Sequence, residues 1–281
     1  PDALTRASGD VAFSYADGAL KLDPLTLTLD DSTLSGHVHV PDPTGPVVRT
    51  KLTLDEIDLD RYMPPTSEAA ATPEASEGAS GEAVAAEDPF AALRPLDLEA
   101  EFTVGKLKVN NARMSNVVAK IVSRDGVVTM DPLGANLYDG KFDGRVVFNA
   151  SSKTPKIAAK KSLTGIQIGP LLNDVAGQDR LTGKGKLLLD ISIVGLTEAE
   201  IRRSLNGTSS FAFTDGAIKG VNIAQLVRQG SQALGLGGGN ADTGTPGQTD
   251  FTELTGSLQM TNGVIKNQDL SAQSPLLRVS G

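Results

Sequence analysis

The chain has 281 residues, of which 39% are hydrophobic and 21% charged, and it carries a formal net charge of -8. That is long enough for one or two packed domains. Aromatic content of 4% with no Trp, together with the negative charge, argues against a nucleic-acid partner, and the absence of Cys excludes disulfides, zinc–thiolate sites and thiol catalysis.

Thirty glycines and fifteen prolines fit a turn-rich, mostly β protein. In chain order, the first organised stretch is DGALKLDPLTLTLDDSTLSG from Asp17. Its spacing returns in DGVVTMDPLGANLYDGKFDG from Asp125 and in NGVIKNQDLSAQSPLLRVSG from Asn262. Counted from the turn glycine (Gly18, Gly126, Gly263), each copy has Leu at +7 (Leu25, Leu133, Leu270). Each also has an apolar residue at +16 (Leu34, Phe142, Val279) and Gly at +18 (Gly36, Gly144, Gly281). This is an internal repeat. Asp-Gly and Asn-Gly predict hairpin turns. Asp23-Pro24 and Asp131-Pro132 are expected to bend or break the ladder, because Pro has no N–H to donate, and a new strand should follow each. FAFTDGAIKGVNI, from Phe211 to Ile223, reads as a fourth, shorter copy.

Between and after the repeats, apolar residues alternate with polar ones. Leu96, Leu98, Ala100, Phe102 and Val104 fall on one face, as do Leu187, Leu189, Ile191 and Ile193, and again Leu254, Gly256, Leu258 and Met260. Period-two patterning of this kind predicts sheets with one apolar and one wet face. Three short helices are expected: Pro170 to Ala176, Asn222 to about Leu234, and one opened by the capping box Thr197–Glu200 and closed near Asn206-Gly207.

Residues 64–90 form an acidic linker rich in Ala, Glu and Pro. It holds six acids (Glu68, Glu74, Glu77, Glu82, Glu87, Asp88) and is too polar to offset its ordering entropy. Setting those six aside from 34 acids leaves 28 against 26 basic residues, so the rest of the chain is nearly neutral. The linker divides an N-terminal β-repeat segment (1–63) from a β-rich C-terminal region (91–281). The stretch from Leu236 to Gly247, with three consecutive glycines, reads as a second flexible segment.

Site chemistry is sparse. His37 and His39 lie two apart, and as metal ligands they would need Asp30 and Asp31; a solvated strand face is the alternative. Asp58 and Asp60 share a face and could bind calcium or do acid–base work, or could belong to a polar outer surface. No GxSxG, HExxH, P-loop or GxGxxG sequence occurs, so neither a cofactor nor catalysis is expected. No apolar run reaches 18 residues and no signal peptide is visible. The chain begins at Pro1 and stops at Gly281 within a strand-like pattern, and it is read as a piece of a longer protein whose anchor could lie outside it.

What remains is the apolar face, either an ordinary core or an open groove for acyl chains. Burial is worth roughly 0.8 kcal/mol per methylene, so a chain of about 14 methylenes faces about 11 kcal/mol to enter water. A continuous apolar trough removes most of that barrier. The residues expected to line it are Leu25, Leu27, Leu29, Leu98, Phe102, Leu187, Leu189, Ile191, Leu258 and Met260.

Four segments resemble the AsmA family of Gram-negative envelope proteins. They are LTLDEIDLDRYMPP (Leu52 to Pro65) followed by an acidic Ala-rich stretch, DGVVTMDPLGANLYDGKFDGRVVFN from Asp125, LTGIQIGPLLNDVAGQDRLTGKGKLLLDI from Leu163, and SLNGTSSFAFTDGAIKGVNIAQLVR from Ser204. The resemblance covers most of the chain from Leu52 onward, and the first 50 residues share only the repeat. It implies a curved, twisted antiparallel sheet of β-meanders forming a hydrophobic groove, in a periplasmic body anchored to the inner membrane by a helix outside this chain. It further implies phospholipid as ligand, bridge-like lipid transfer to the outer membrane, a role in outer-membrane biogenesis, outer-membrane or envelope proteins as partners, and no catalytic residues. The alternative is a structural factor for outer-membrane protein insertion, with a closed core and no lipid.

Overall fold

The computed structural model describes residues 5–62, 88, 90–220 and 247–274, and the backbone of 278–280. The expected helix from Asn222, the flexible stretch up to residue 246 and nearly all of the acidic linker lie outside the described residues.

The described residues form fifteen strands: β1 (Ala7–Ala16), β2 (Ala19–Leu29), β3 (Ser32–Val40), β4 (Val47–Asp58), β5 (Asp97–Val109), β6 (Ala112–Arg124), β7 (Val127–Leu137), β8 (Gly140–Asn149), β9 (Lys156–Gln167), β10 (Lys184–Val194), β11 (Asn206–Lys219), β12 (Gln248–Thr261), β13 (Val264–Lys266), β14 (Ser271–Gln273) and β15 (Arg278–Ser280). All join one sheet that does not close on itself. The order is that of the chain from β1 to β12, then β14 and β15, with β13 paired on β12. No described strand packs substantially on any strand but its hydrogen-bonded neighbours, so no second layer stacks on the sheet among the described residues.

The hairpin turns follow from local chemistry. Asp17-Gly18, Asp125-Gly126 and Asn262-Gly263 all have positive φ at both residues, the turn that matches the strand twist. Asn110-Asn111, between β5 and β6, adopts the same hand without glycine, which asparagine tolerates. Two short helices sit at opposite rims. α1 (Ile168–Ala176) is tied to the β5–β6 and β7–β8 ends through Asp174, which accepts from Tyr138 Oη at 2.8 Å and pairs with Arg113. α2 (Glu198–Ser204) starts at the expected capping box: Thr197 Oγ1 accepts from Glu200 N–H, and Glu200 accepts from Thr197 N–H at 3.0 Å.

Three expectations need correcting. First, Asp23-Pro24 and Asp131-Pro132 do not divide strands. β2 and β7 run through them with a register shift, between Leu22 and Leu25 and between Met130 and Leu133. A bulge accommodates the missing proline donor and shifts the alternation by one residue, so Leu20, Leu22, Leu25, Leu27 and Leu29 all stay on one face. It also explains the repeat: the Leu at +7 lies opposite the Gly at +18, as Leu25 opposite Gly36 and Leu133 opposite Gly144. Second, Asp215-Gly216 is not a hairpin. It lies inside β11, where a Cβ on Gly216 would come 2.1 Å from the Thr182 carbonyl. Third, in the third copy the ladder does break, between β13 and β14. Asp269 fills the gap by accepting from Ser257 N–H and Oγ–H, both at 2.7 Å.

One pair departs from the antiparallel pattern. β4 and β5 are parallel, which carries the sheet unbroken from the residues before the acidic linker to those after it. The outer-face register partners are oppositely charged: Arg49 with Glu99 (3.7 Å), Lys51 with Glu101 (3.3 Å), Glu56 with Lys106 (3.2 Å) and Asp58 with Lys108 (3.0 Å). β4 is basic then acidic and β5 acidic then basic, so antiparallel pairing would have set like charges together.

Lys51→Glu should lower the midpoint of urea unfolding, and adding Glu101→Lys should restore it. Gly36 has φ +149°, and a Cβ there would meet the Lys51 carbonyl at 2.1 Å. Gly36→Ala should therefore cost about 1–3 kcal/mol in the same measurement, whereas Gly45→Ala, whose Cβ meets nothing closer than 3.5 Å, should be near neutral.

Candidate functional site

Residues paired across a ladder point to the same side of a sheet, so register traces each face directly. One row crosses all twelve long strands: Val11, Leu25, Gly36, Leu52, Phe102, Ala119, Leu133, Gly144, Lys161, Leu189, Ser209 and Leu258. The next row on the same face also crosses all twelve: Phe13, Leu22, Val38, Thr50, Ala100, Ile121, Met130, Val146, Ala159, Ile191, Gly207 and Met260. At about 4.8 Å per strand, this strip is about 50 Å long.

The ten residues singled out from the sequence all lie on this face. Leu25, Phe102, Leu189 and Leu258 are in the first row, and Ile191 and Met260 in the second. Leu27 and Leu29 follow Leu25 at alternate positions, and Leu98 and Leu187 stand on the same side of β5 and β10. Leu25 and Met260 are buried, Leu27 is 39% exposed, and the other seven are half-buried. The three consecutive leucines of β10 act as an internal control. Leu187 and Leu189 are half-buried, whereas Leu188, on the outer face, is 40% exposed.

Large side chains on the apolar face stand opposite glycines. Phe211 lies across from Gly256 and Phe213 across from Gly185, where a Cβ would meet the rings at 2.7 Å and 2.9 Å. The two rings stack on each other with centroids 5.5 Å apart. Pairing large with absent side chains levels the surface, and the face has few fully buried groups: among the described residues only Ile166 and Ser123 are large and wholly enclosed.

The outer face is polar. His37 pairs in register with Lys51 and His39 with both Arg49 and Lys21, so cations flank the histidines. Asp30 is buried at the far end of β2, where it accepts from Thr5 N–H at 2.7 Å and from Tyr62 Oη at 2.8 Å, and Asp31 pairs with Arg61. No group of three or more metal-ligating side chains occurs among the described residues. Asp58 caps a 3-10 turn by accepting from Asp60 N–H. Asp60 accepts from the N–H groups of Asn111 (2.9 Å) and Asn110, and both carboxylates reach Lys108. The pair thus clamps the end of β4 to the β5–β6 turn.

The AsmA family profile matches residues 1–270. The chain belongs to the AsmA family. The match takes in the first 50 residues, which by eye share only the repeat. The chain is also similar to Protein AsmA of Escherichia coli (strain K12), with 22% identity over 271 residues, covering 93% of this chain and 44% of that protein. It therefore spans less than half the length of that AsmA relative. No solved structure matches it. No described helix is long and apolar enough to cross a membrane.

The N–H groups of Asn111, then Asn110, and the Lys108 ammonium hold the Asp60 carboxyl below its ordinary range. A lowered folded value means that its stabilisation is complete above the unfolded value near 3.8 and is lost as pH falls through the folded one. Asp60→Asn should therefore unfold at lower urea than the parent at pH 6, and the difference should shrink as the pH is lowered below 3.8.

Proposed function

We propose that this chain is a length of lipid conduit, in which phospholipid acyl chains lie along the apolar face while headgroups remain toward water. The observation that carries the reading is the strip itself, two residue rows wide and twelve strands long, on which no other described strand packs. Soluble monomers rarely expose contiguous apolar patches above a few hundred Å², and larger ones mark binding surfaces. A strip about 50 Å by about 14 Å is on the order of 700 Å². Membership in the AsmA family supports a role in outer-membrane assembly or lipid transport in the broad sense.

In this reading the sheet is curved so that the apolar face forms a groove, and transfer is passive sliding with no covalent step. Half-burial of Leu187 and Leu189 beside an exposed Leu188 supports inward curvature. The energetic argument is the one that applies to any acyl chain: a floor of Leu, Val, Ile and Phe offsets most of the roughly 0.8 kcal/mol per methylene that water would charge. The surface suits flexible tails where glycines receive the large side chains of the next strand, as Gly256 and Gly185 receive Phe211 and Phe213. On this proposal the body lies in the periplasm, between inner and outer membrane. Nothing in the mechanism calls for a metal or a prosthetic group.

Phospholipid should copurify with the chain and be detected by mass spectrometry of an organic extract. Ile191→Glu, in the middle of the strip, should remove at least nine-tenths of it. Leu188→Glu, on the outer face, should leave it unchanged. Absence of lipid from the parent, or equal loss in both variants, would support instead a scaffold for outer-membrane assembly that holds no lipid.

A further inference from the structure

The two central rows of the apolar face carry one charge. In those rows, from β1 to β12, Lys161 is the single ionisable side chain. It occupies the place of an apolar residue in the alternation Ile157, Ala159, Lys161, Leu163, and its partners across the ladder are Gly144 and Leu189. On the outer face Lys51, Lys106, Lys108 and Lys120 each meet a carboxylate. Its own neighbour Lys160 points the other way, 3.0 Å from Asp190. Lys161 is exposed and has no ion-pair or hydrogen-bond partner among the described residues.

Lys161 is also far from the rims. It lies five residues from Lys156 and six from Gln167, the two ends of β9, or about 16 Å or more from either rim. Its four-carbon stem is too short to carry the ammonium out to the edge of the strip. Once acyl chains cover the face, the ammonium must either lose its water uncompensated or meet an anion brought by the ligand. Gly144 beside it carries no side chain of its own, and the Phe142 ring leans over the place a Cβ would take, 3.0 Å away. The nearest hydroxyl on the row, Ser209 Oγ, is already bonded to the Leu188 carbonyl.

We propose that Lys161 holds the phosphodiester of a lipid lying on the apolar face, and so gives the strip a preference for phospholipid over uncharged lipids with the same tails. This rests on the acyl-carrying reading above and changes it at one point: the headgroup at Lys161 turns onto the face instead of remaining toward water. An ammonium acts here as a point charge that any phosphate oxygen can approach, so it holds the headgroup without fixing its identity.

The test compares two probes with identical chains, fluorescently tagged dioleoyl phosphatidylglycerol and tagged dioleoylglycerol, binding to the delipidated chain. The parent should prefer the phosphatidylglycerol by about tenfold, the weight of one charge-assisted hydrogen bond. Lys161→Met and Lys161→Gln should abolish the preference while still binding dioleoylglycerol. Lys161→Arg and the outer-face control Lys160→Met should keep it. Far-UV circular dichroism of both neutral variants checks that the sheet is intact. If both probes bind the parent equally, or the preference survives in the neutral variants, the role of Lys161 is overturned and the carrier reading stands. If neither probe binds the parent, the carrier reading falls and takes this inference with it.

Discussion

The structure depends on keeping one side of every strand on one face of the sheet. A one-residue slip in any ladder would turn that strand's leucines to the polar side, and among the described residues no second layer is there to correct it. Bulges are therefore part of the specification. At Asp23-Pro24 and Asp131-Pro132 the apolar alternation jumps by one position in the sequence, and the backbone jumps with it. The rows on either side of each bulge stay in line across all twelve long strands.

A sheet built this way is held together locally. Each described strand packs chiefly on its hydrogen-bonded neighbours, so stability is close to a sum of ladder terms, as in repeat proteins. Hairpin turns, cross-strand ion pairs and large-on-glycine contacts each secure one junction. The parallel β4–β5 junction has no tight turn to set its register, and there the charge pattern specifies it. Arg49 and Lys51 against Glu99 and Glu101, then Glu56 and Asp58 against Lys106 and Lys108, are satisfied in one direction only. Exposed pairs of this kind contribute little stability each, and their role here is to choose between alignments.

Much of this was legible from residue patterns. Period-two alternation identified β5, β10 and β12 and the side each turns inward, and Asp-Gly and Thr-x-x-Glu identified turns and a helix start. The ten leucine-rich positions fall on one face because alternation is a property of neighbours in sequence, and neighbours in sequence are what a single chain displays. What escaped depends on partners far apart. Pro24 reads as a break when only its missing N–H is considered, yet a bulge accommodates it because β3 supplies a glycine at the matching place. Asp215-Gly216 has the chemistry of a turn, but Gly216 is required by the close approach of Thr182, from the segment before β10, and of Phe251 on β12. The direction of β4 against β5 was written in the order of their charges, which becomes informative only when the two strands are compared. Lys161 was missed for the same reason. By residue type it belongs with the polar set, and only its parity within β9 puts it among the leucines.

The two faces have different work. The outer one carries a net of ion pairs running from Lys51 through Glu101 and from Arg49 through Glu99 to Lys120. A surface of that kind will not stack on another sheet, because stacking would strip paired charges of water for no compensating apolar contact. The apolar face has the opposite property, and an uncharged strip of this size would be expected to close on itself or on a second copy. A lysine in the middle of that strip works against both outcomes, since any protein surface pressed onto it must bury the ammonium. A lipid that brings its own phosphate does not incur that cost. A single charge in the row is therefore enough to separate the ligand proposed for this face from the protein surfaces that would otherwise compete for it.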